Sequence, residues 1–522
     1  MNIGSLLPRH ARYRGEHDAF VIGEQRLNFR ELNSRVNLAA NALLAAGIRK
    51  GEKMATVLPN CEELMLLYWA AAKTGIVIVP SSPLLQASGL ATLLNDSDTV
   101  IVFADVSFIK MIEKMQDNLP EINKENWILV GEIKESCGFT RWTDFISGVS
   151  DEEPPDANLV DDDVYNIMYS SGTTGAPKGI VHTHYVRANY CTQFASAWRM
   201  SPESVVLHAG AIVFNGAMLD LMPWMYLGAT YILHQTFDPA EVLKTIFQEK
   251  VTHIVMVPSQ IVALLNHPEF DPKKLSSLEM LQSVGAPLLL EYKQKLNESL
   301  PGIFYELYGV TEGFFSILDR DDAVRKIGSV GSVPAFIDIR ILRENGEECG
   351  PNEVGEICGR SAMMMQGYYN RPDLTEKTIV NNWLHSGDLG YMDDDGYLFL
   401  VDRVKDMIIS GGVNVFPKDI EEIIIKHPEV AEVAVFGVPD KRWGETPVAA
   451  VICHGDHIVS ADILKAWTNQ RVDAKFQRVK EILILDSFPR NVAGKTLKRE
   501  MREAYLNLSL IHISEHTRRT PS

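Results

Sequence analysis

Short apolar runs alternate with longer amphipathic ones along most of this chain, and that alternation leaves few folds open. KMATVLP and GIVIVP read as short buried strands, and CEELMLLYWAAAKTG between them reads as a helix. Upstream, FRELNSRVNLAANALLAAG, from Phe29 to Gly47, repeats apolar residues at helical spacing and stops at a glycine, as an amphipathic helix with a glycine cap does. The pattern continues through TVIVFAD, WILVGE, ATYILH and HIVMVP. Strand–helix–strand alternation of this kind predicts an α/β fold with largely parallel sheets.

At 522 residues the chain is too long for one compact core. The acidic, proline-bearing stretch DEEPPDANLVDDD, Asp151 to Asp163, marks an exposed connector before VYNIMYS resumes as a strand. A second change of character comes near Asp402 to Asp406. Beyond it DIEEIIIKHPEVAEVAVFGVPD pairs a helix with a strand, VAAVICH adds a strand and SADILKAWTNQRV a helix. The expected division is a large N-terminal domain, 1–402, and a small α+β C-terminal domain, 403–506. The remaining stretch, 507–522, has neither periodicity nor a cap and is read as a disordered or non-native tail.

Composition narrows the function. Hydrophobic residues at 46% and charged residues at 23% describe an ordinary globular protein. A net charge of −18 argues against nucleic acid as a partner, because neutralising phosphates needs a basic face. Anionic ligands must then be met by a few local cations and backbone N–H groups. The six cysteines lie far apart with no C-x-x-C pair, which suits reduced thiols and no metal site built from them. The start of the chain, MNIGSLLPRHARYRGEHDAF, breaks its apolar stretch at Pro8, unlike a signal peptide, and runs such as TGIVIVP are too short to cross a bilayer. A cytoplasmic protein is expected, with peripheral membrane contact and a homodimer left open.

YSSGTTGAPKG, Tyr169 to Gly179, follows a predicted strand and is built from small residues that let successive N–H groups turn toward one centre. Hydroxyls on Ser170, Ser171, Thr173 and Thr174 and the charge of Lys178 complete an anion-binding nest, and phosphate is its natural guest. It is not a Walker A loop, which would need Gly at Pro177 and Ser or Thr at Gly179. A solvated Gly/Ser linker leaves the Pro-Lys-Gly ending unexplained.

Together with SVGAP, YELYGVTEG, HSGDLG, DRVKDMIISGG and PRNVAGKTLKRE, in that order, this loop makes the chain resemble the adenylate-forming superfamily of acyl- and aryl-CoA synthetases, carrier-protein adenylation domains and beetle luciferases. The resemblance implies that Ser170, Ser171, Gly172, Thr173, Thr174, Gly175 and Lys178 hold the phosphates of ATP. It places Gly285, Ala286, Pro287, Tyr308, Gly309 and Thr311 around adenine and substrate, and gives Glu312 a Mg2+ ion against the phosphates. Asp388 and Arg403 fall at the ribose, and Lys495 becomes the mobile lysine that bridges the acid and the α-phosphate. Thr173, Glu312 and Lys495 are thereby the catalytic candidates. Lys405 falls at the hinge of a mobile C-terminal domain, and Gly411 and Gly412 line the channel for the CoA thiol. Taken one at a time, Glu312 and Lys495 also read as solvated surface charges, Asp388 as a turn residue and the glycine pair as a plain turn.

The family places its acyl pocket in HAGAIVFNGAMLDLMPWMYLGA. With Gly216 set on the family's glycine, the position where the family often carries His falls on Val213, a departure, and Phe214, Asn215 and Gly216 become the pocket candidates. Phe214, Met218, Met222, Trp224 and Met225 make the segment apolar, through core packing or acyl contact, and favour a fatty or aryl acid over an amino acid. The resemblance implies an acid–CoA ligase that uses ATP, CoA and Mg2+. Transfer to a carrier protein supplied in trans, oxidation of the adenylate and a non-catalytic nucleotide-binding module are the alternatives. The last is disfavoured by the presence of Lys178, Glu312, Asp388, Arg403, Lys405 and Lys495 together.

Overall fold

A computed structural model describes residues 1–115, 119, 122–132, 138–170, 177–403, 405–410, 413–454, 459–472, 474–490 and 496–517, with only the backbone over 508–517. Ser171 to Gly175, Gly411, Gly412 and Lys495 lie outside the described residues. The chain divides into two compact units, Met1–Ile339 with Gly359–His385, and Arg340–Cys358 with Ser386–Ser522.

The larger unit holds two eight-stranded sheets. One runs in the order Phe314–Leu318, Phe304–Val310, Met280–Ser283, His253–Met256, Val205–His208, Thr230–Leu233, Asp18–Ile22, Gln25–Asn28, and its inner strands pair in parallel. The other runs Gly367–Tyr368, Lys178–Thr183, Val164–Ser170, Val77–Pro80, Lys53–Val57, Thr99–Asp105, Trp127–Val130, Thr140–Arg141. The fold is α/β, as the alternation predicts. The runs read as strands do form strands because their β-branched side chains are buried on both faces, the condition for a parallel sheet with helices on its faces.

Local chemistry sets the helix ends. Phe29–Ala45 begins with a capping box, in which the Asn28 side chain accepts from Glu31 N–H and Glu31 reaches back, and it is followed by Gly47 at φ +82°. Glu62–Thr74 is apolar all round, buries its whole second half and stops at Gly75, φ +72°. The acidic connector is exposed but tied down: the Lys73 ammonium, buried at the end of that helix, bonds Glu153 at 2.8 Å and the side chains of Asn33 and Asn37 at 2.6 Å.

In the smaller unit, a five-stranded sheet runs Val413–Val415, Ile408–Ser410, Gly444–Cys453, Val430–Asp440, with Ile482–Ile484 beside Gly444–Cys453. Helices Pro417–Ile424 and Ala461–Asn469 contribute Ile420, Ile424 and Leu464 to its core. This is an α+β arrangement. The last helix runs Lys498–Thr517. Among the described residues, no helix is long and apolar enough to cross a membrane.

Candidate active site

The phosphate-loop sequence is carried by two antiparallel strands. Ser170 ends Val164–Ser170, Lys178 opens Lys178–Thr183, and the two residues face each other across the pair, so both ends of the loop are fixed by the ladder. The Lys178 ammonium lies 5.0 Å from the centre of the Tyr368 ring. Tyr368 comes from the edge strand Gly367–Tyr368, which pairs with Lys178–Thr183, and its hydroxyl donates to Glu312 Oε1 at 2.8 Å. Burial and the Glu312 carboxylate push the Tyr368 hydroxyl above its usual range, so it stays protonated and donates. Lys178, Tyr368 and Glu312 thus form one group, with cation and acid on either side of a tyrosine.

Glu312 stands in the turn between strands Phe304–Val310 and Phe314–Leu318. Its carbonyl accepts from Met365 N at 2.7 Å, Gly313 N donates to Val310 O at 3.1 Å, and Ser361 Oγ donates to Gly313 O. His182 Nε2 meets Thr311 O at 2.8 Å. Gly313 has φ +142°, and a β-carbon there would stand 2.2 Å from Met364 Cα, so only glycine fits. Tyr308 is buried at the end of its strand, with Gly309 exposed after it. Gly285, at φ +91°, turns the chain out of the neighbouring strand Met280–Ser283, and Ala286 and Pro287 are exposed beside it. These segments cluster at the carboxyl ends of parallel strands, where open α/β sheets bind ligands.

The acyl candidates lie at the entrance of helix Asn215–Leu227, with Phe214 as its N-cap residue. Asn60 fixes the approach, donating to Gly210 O at 2.6 Å and His234 O at 2.8 Å while accepting from Ile212 N at 3.0 Å. Met218, Met222, Trp224 and Met225 are fully buried. Asn215 Nδ2 donates to the Tyr190 hydroxyl at 3.3 Å, and a β-carbon on Gly216 would meet nothing within 4 Å among the described residues.

In the smaller unit, Asp388 and Arg403 oppose each other on antiparallel strands, with Arg403 Nε 3.2 Å from Asp388 Oδ1. Lys405 is exposed in the turn after Arg403, closed by Asp406 N and Met407 N on Arg403 O. Asp402 accepts from Arg403 N and Lys418 N, and burial raises its carboxyl above the usual range. A cavity of about 670 Å3 in the same unit is lined by Ser410, Trp443 and Phe476, by the cations Arg442, Lys465, Lys475, Arg478 and Lys480, and by one acid, Asp440, which lies 3.6 Å from the Lys480 ammonium. In a protein of net charge −18 this is a local basic site with two aromatic rings, suited to a phosphorylated nucleotide.

Neither Tyr368 nor the basic cavity is among the sequence candidates. Tyr368 offers no local signal, since it reaches Glu312 only through strand pairing. The run KFQRVK, Lys475 to Lys480, is a signal of local positive charge for the cavity.

Residues 7–369 match the family described as AMP-binding enzyme, and residues 419–495 match the AMP-binding enzyme C-terminal domain. The chain is 34% identical over 508 residues to a feruloyl-CoA synthase of Amycolatopsis, covering 96% of this chain and 99% of that protein. It is 32% identical over 519 residues to the long-chain-fatty-acid–CoA ligase FadD13 of Mycobacterium tuberculosis, covering 97% and 98%. Among solved structures, ATP-bound MatB from Rhodopseudomonas palustris superposes with a TM-score of 0.88 at 26% identity, covering 97% of this chain and 99% of that one. The o-succinylbenzoate CoA synthetase of Bacillus subtilis, in complex with its acyl-adenylate intermediate, gives 0.84 at 28%, covering 95% and 97%. The chain belongs to the AMP-binding enzyme family and, within the adenylate-forming superfamily, to the acyl-CoA synthetases.

Proposed function

We propose that this acyl-CoA synthetase activates an apolar carboxylic acid, fatty or aryl, with ATP and Mg2+ and passes it to CoA. A carboxylate is a poor electrophile with a poor leaving group, so the reaction is split in two. One carboxylate oxygen of the acid attacks the α-phosphorus of ATP, and the bond to pyrophosphate breaks. The CoA sulfur, losing its proton, then attacks the acyl carbonyl, and AMP leaves with the electron pair of the broken C–O bond.

The group Lys178–Tyr368–Glu312 carries this reading. Lys178 and Ser170, with 171–175 between them, hold the phosphates. Glu312 offers hard oxygen donors, of whose roughly four lone-pair sites Tyr368 takes one, so the residue fits Mg2+, which neutralises phosphate charge when bound. Tyr308 and Gly285 to Pro287 receive adenine, Asp388 and Arg403 the ribose, and Lys495 the acid and α-phosphate. The domain boundary is placed after 402, with Lys405 as the hinge of a mobile 403–506 domain and Gly411 and Gly412 at the thiol channel. Phe214, Asn215 and Gly216 face the acid.

The basic, aromatic cavity beside Ser410 favours CoA over a carrier protein as acceptor. CoA brings a phosphorylated adenosine for such a cavity, and a carrier-borne phosphopantetheine does not. Pyrophosphate release, measured with ATP and Mg2+ across fatty, aryl and amino acids with and without CoA, tests the proposal. Pyrophosphate and a CoA thioester from one class of apolar acid are expected. Adenylate that accumulates in the presence of CoA, with no thioester by mass, overturns CoA as the acceptor.

A further inference from the structure

Arg187, on helix His184–Ala197, is completely buried, yet among the described residues no carboxylate pairs with it. The ionisable groups around its guanidinium include Tyr190, Tyr165, Tyr68, Cys191 and His182, with the Tyr190 ring centre 4.6 Å away. A buried cation without a counter-ion costs stability, so what its N–H groups do is the question. Nε donates to Asn166 Oδ1 at 2.9 Å and Nη2 meets His182 Nδ1 at 3.1 Å, while Nη1 has no hydrogen-bond partner among the described residues.

The contact with His182 determines a tautomer. A guanidinium has donors and no acceptor, so His182 Nδ1 must be the acceptor and carry no proton. The ring proton therefore sits on Nε2, which donates to the Thr311 carbonyl at 2.8 Å. A second proton is excluded in this setting: burial and the neighbouring Arg187 charge hold His182 well below the usual histidine range. The result is a one-way relay from Arg187, which Asn166 anchors by accepting from Nε, through His182 to Thr311, crossing from the sheet that carries the phosphate-loop strands to the sheet that carries Glu312.

We propose that Arg187 is a positioning residue for the adenylation step: by holding His182 with its proton on Nε2, it fixes the Thr311 carbonyl and the Thr311–Glu312 turn. This rests on the reading of Thr311 and Glu312 as ATP-binding residues. The Glu312 carboxylate is held by Tyr368 and its carbonyl by Met365, and the His182 bond fixes the preceding residue. Loss of that bond leaves the acid tethered by its own atoms while the peptide ahead of it can turn. Small misplacements of a reacting group can cost about a hundredfold in rate.

The test is ATP–pyrophosphate exchange with the best acid of the panel above, on the full chain, giving kcat and the KM for ATP separately. Arg187→Met and His182→Leu are each expected to lower kcat by about 10- to 100-fold with a smaller change in KM. Because the two act in series, the double variant should be no worse than the poorer single by more than about threefold. His182→Gln, whose amide can donate to Thr311 and accept from Arg187, should recover most of the rate lost in His182→Leu. A folded Arg187→Met with wild-type kcat and only a lower melting temperature overturns the proposal, as does equal kcat in His182→Leu and His182→Gln. That second pair decides the matter if Arg187→Met does not fold. Glu312→Gln separates the two failures: wild-type exchange there sinks the ATP-site reading itself, whereas strong loss there with unchanged Arg187→Met sinks only the relay.

Discussion

The turn Thr311–Gly313 is held by hydrogen bonds from Met365, Ser361, His182 and Tyr368 and by a backbone contact that admits no side chain at Gly313. The helix entrance Phe214–Gly216 is instead backed by apolar packing from the rest of its helix, and a β-carbon on Gly216 would touch none of the described residues. Both lie in the larger unit. The difference suits the roles proposed for each: phosphoryl chemistry on ATP is the same for every acid and rewards a rigid frame, whereas a pocket for the acid can change by altering side-chain volume alone.

The comparison breaks most visibly at Gly313. Gly313→Ala adds a methyl within 2.2 Å of Met364 Cα at a φ of +142°, and a cost of about 2–5 kcal/mol is expected. Thermal melting and pyrophosphate exchange should both collapse; a well-folded, active variant would show that the turn is not the rigid partner of the pair.

Titration gives an intermediate effect. Burial holds His182 well below its unfolded value of 6.5, so the unfolded chain binds a proton that the folded chain refuses as pH falls. The stability that depends on a neutral His182 is complete above about pH 6.5 and is lost below it, at no more than about 1.4 kcal/mol per pH unit. His182→Gln should flatten the melting-temperature profile between about pH 6 and 5 relative to wild type, and an unchanged slope would remove His182 as a source of acid sensitivity.

The smallest effect belongs to the acyl side. Gly216→Ala meets no neighbour among the described residues and should leave stability unchanged or raised by about 0.4–1 kcal/mol. kcat/KM should fall for bulky acids, by about tenfold at most, and hold for slender ones. A uniform loss across acids would place Gly216 away from the acid.

Legibility in the sequence followed the same division. Strand runs such as VYNIMYS, Val164 to Ser170, could be read because their centre, Tyr165 to Met168, is buried within the sheet between a parallel and an antiparallel neighbour. The nucleotide motifs could be read because glycines and acids there answer to backbone geometry, as Gly313 does. Tyr368 was beyond reach, since its role depends on pairing with a strand far away in the sequence, and Arg187 looks like an ordinary helix arginine until its burial is known. For the basic cavity the run Lys475 to Lys480 signals local charge, but Arg442 and Lys465 come from separate segments, so the sequence does not show that they meet there. The acyl helix is apolar all round, which erases the periodicity that would separate pocket-facing from core-facing residues.

Gly367–Tyr368 closes the edge of the sheet beside Lys178–Thr183, and this sets an order of events during synthesis. The strand Lys178–Thr183 leaves the ribosome long before its edge partner exists. At about 5–20 residues per second the exposed edge waits roughly 10–40 s for Tyr368. Until then the sheet presents unpaired N–H and C=O groups to any extended chain nearby, and Glu312 lacks its tyrosine. The nascent protein therefore cannot assemble the proposed phosphate site early, and an interrupted chain ending before Gly367 should be both inactive and prone to aggregate.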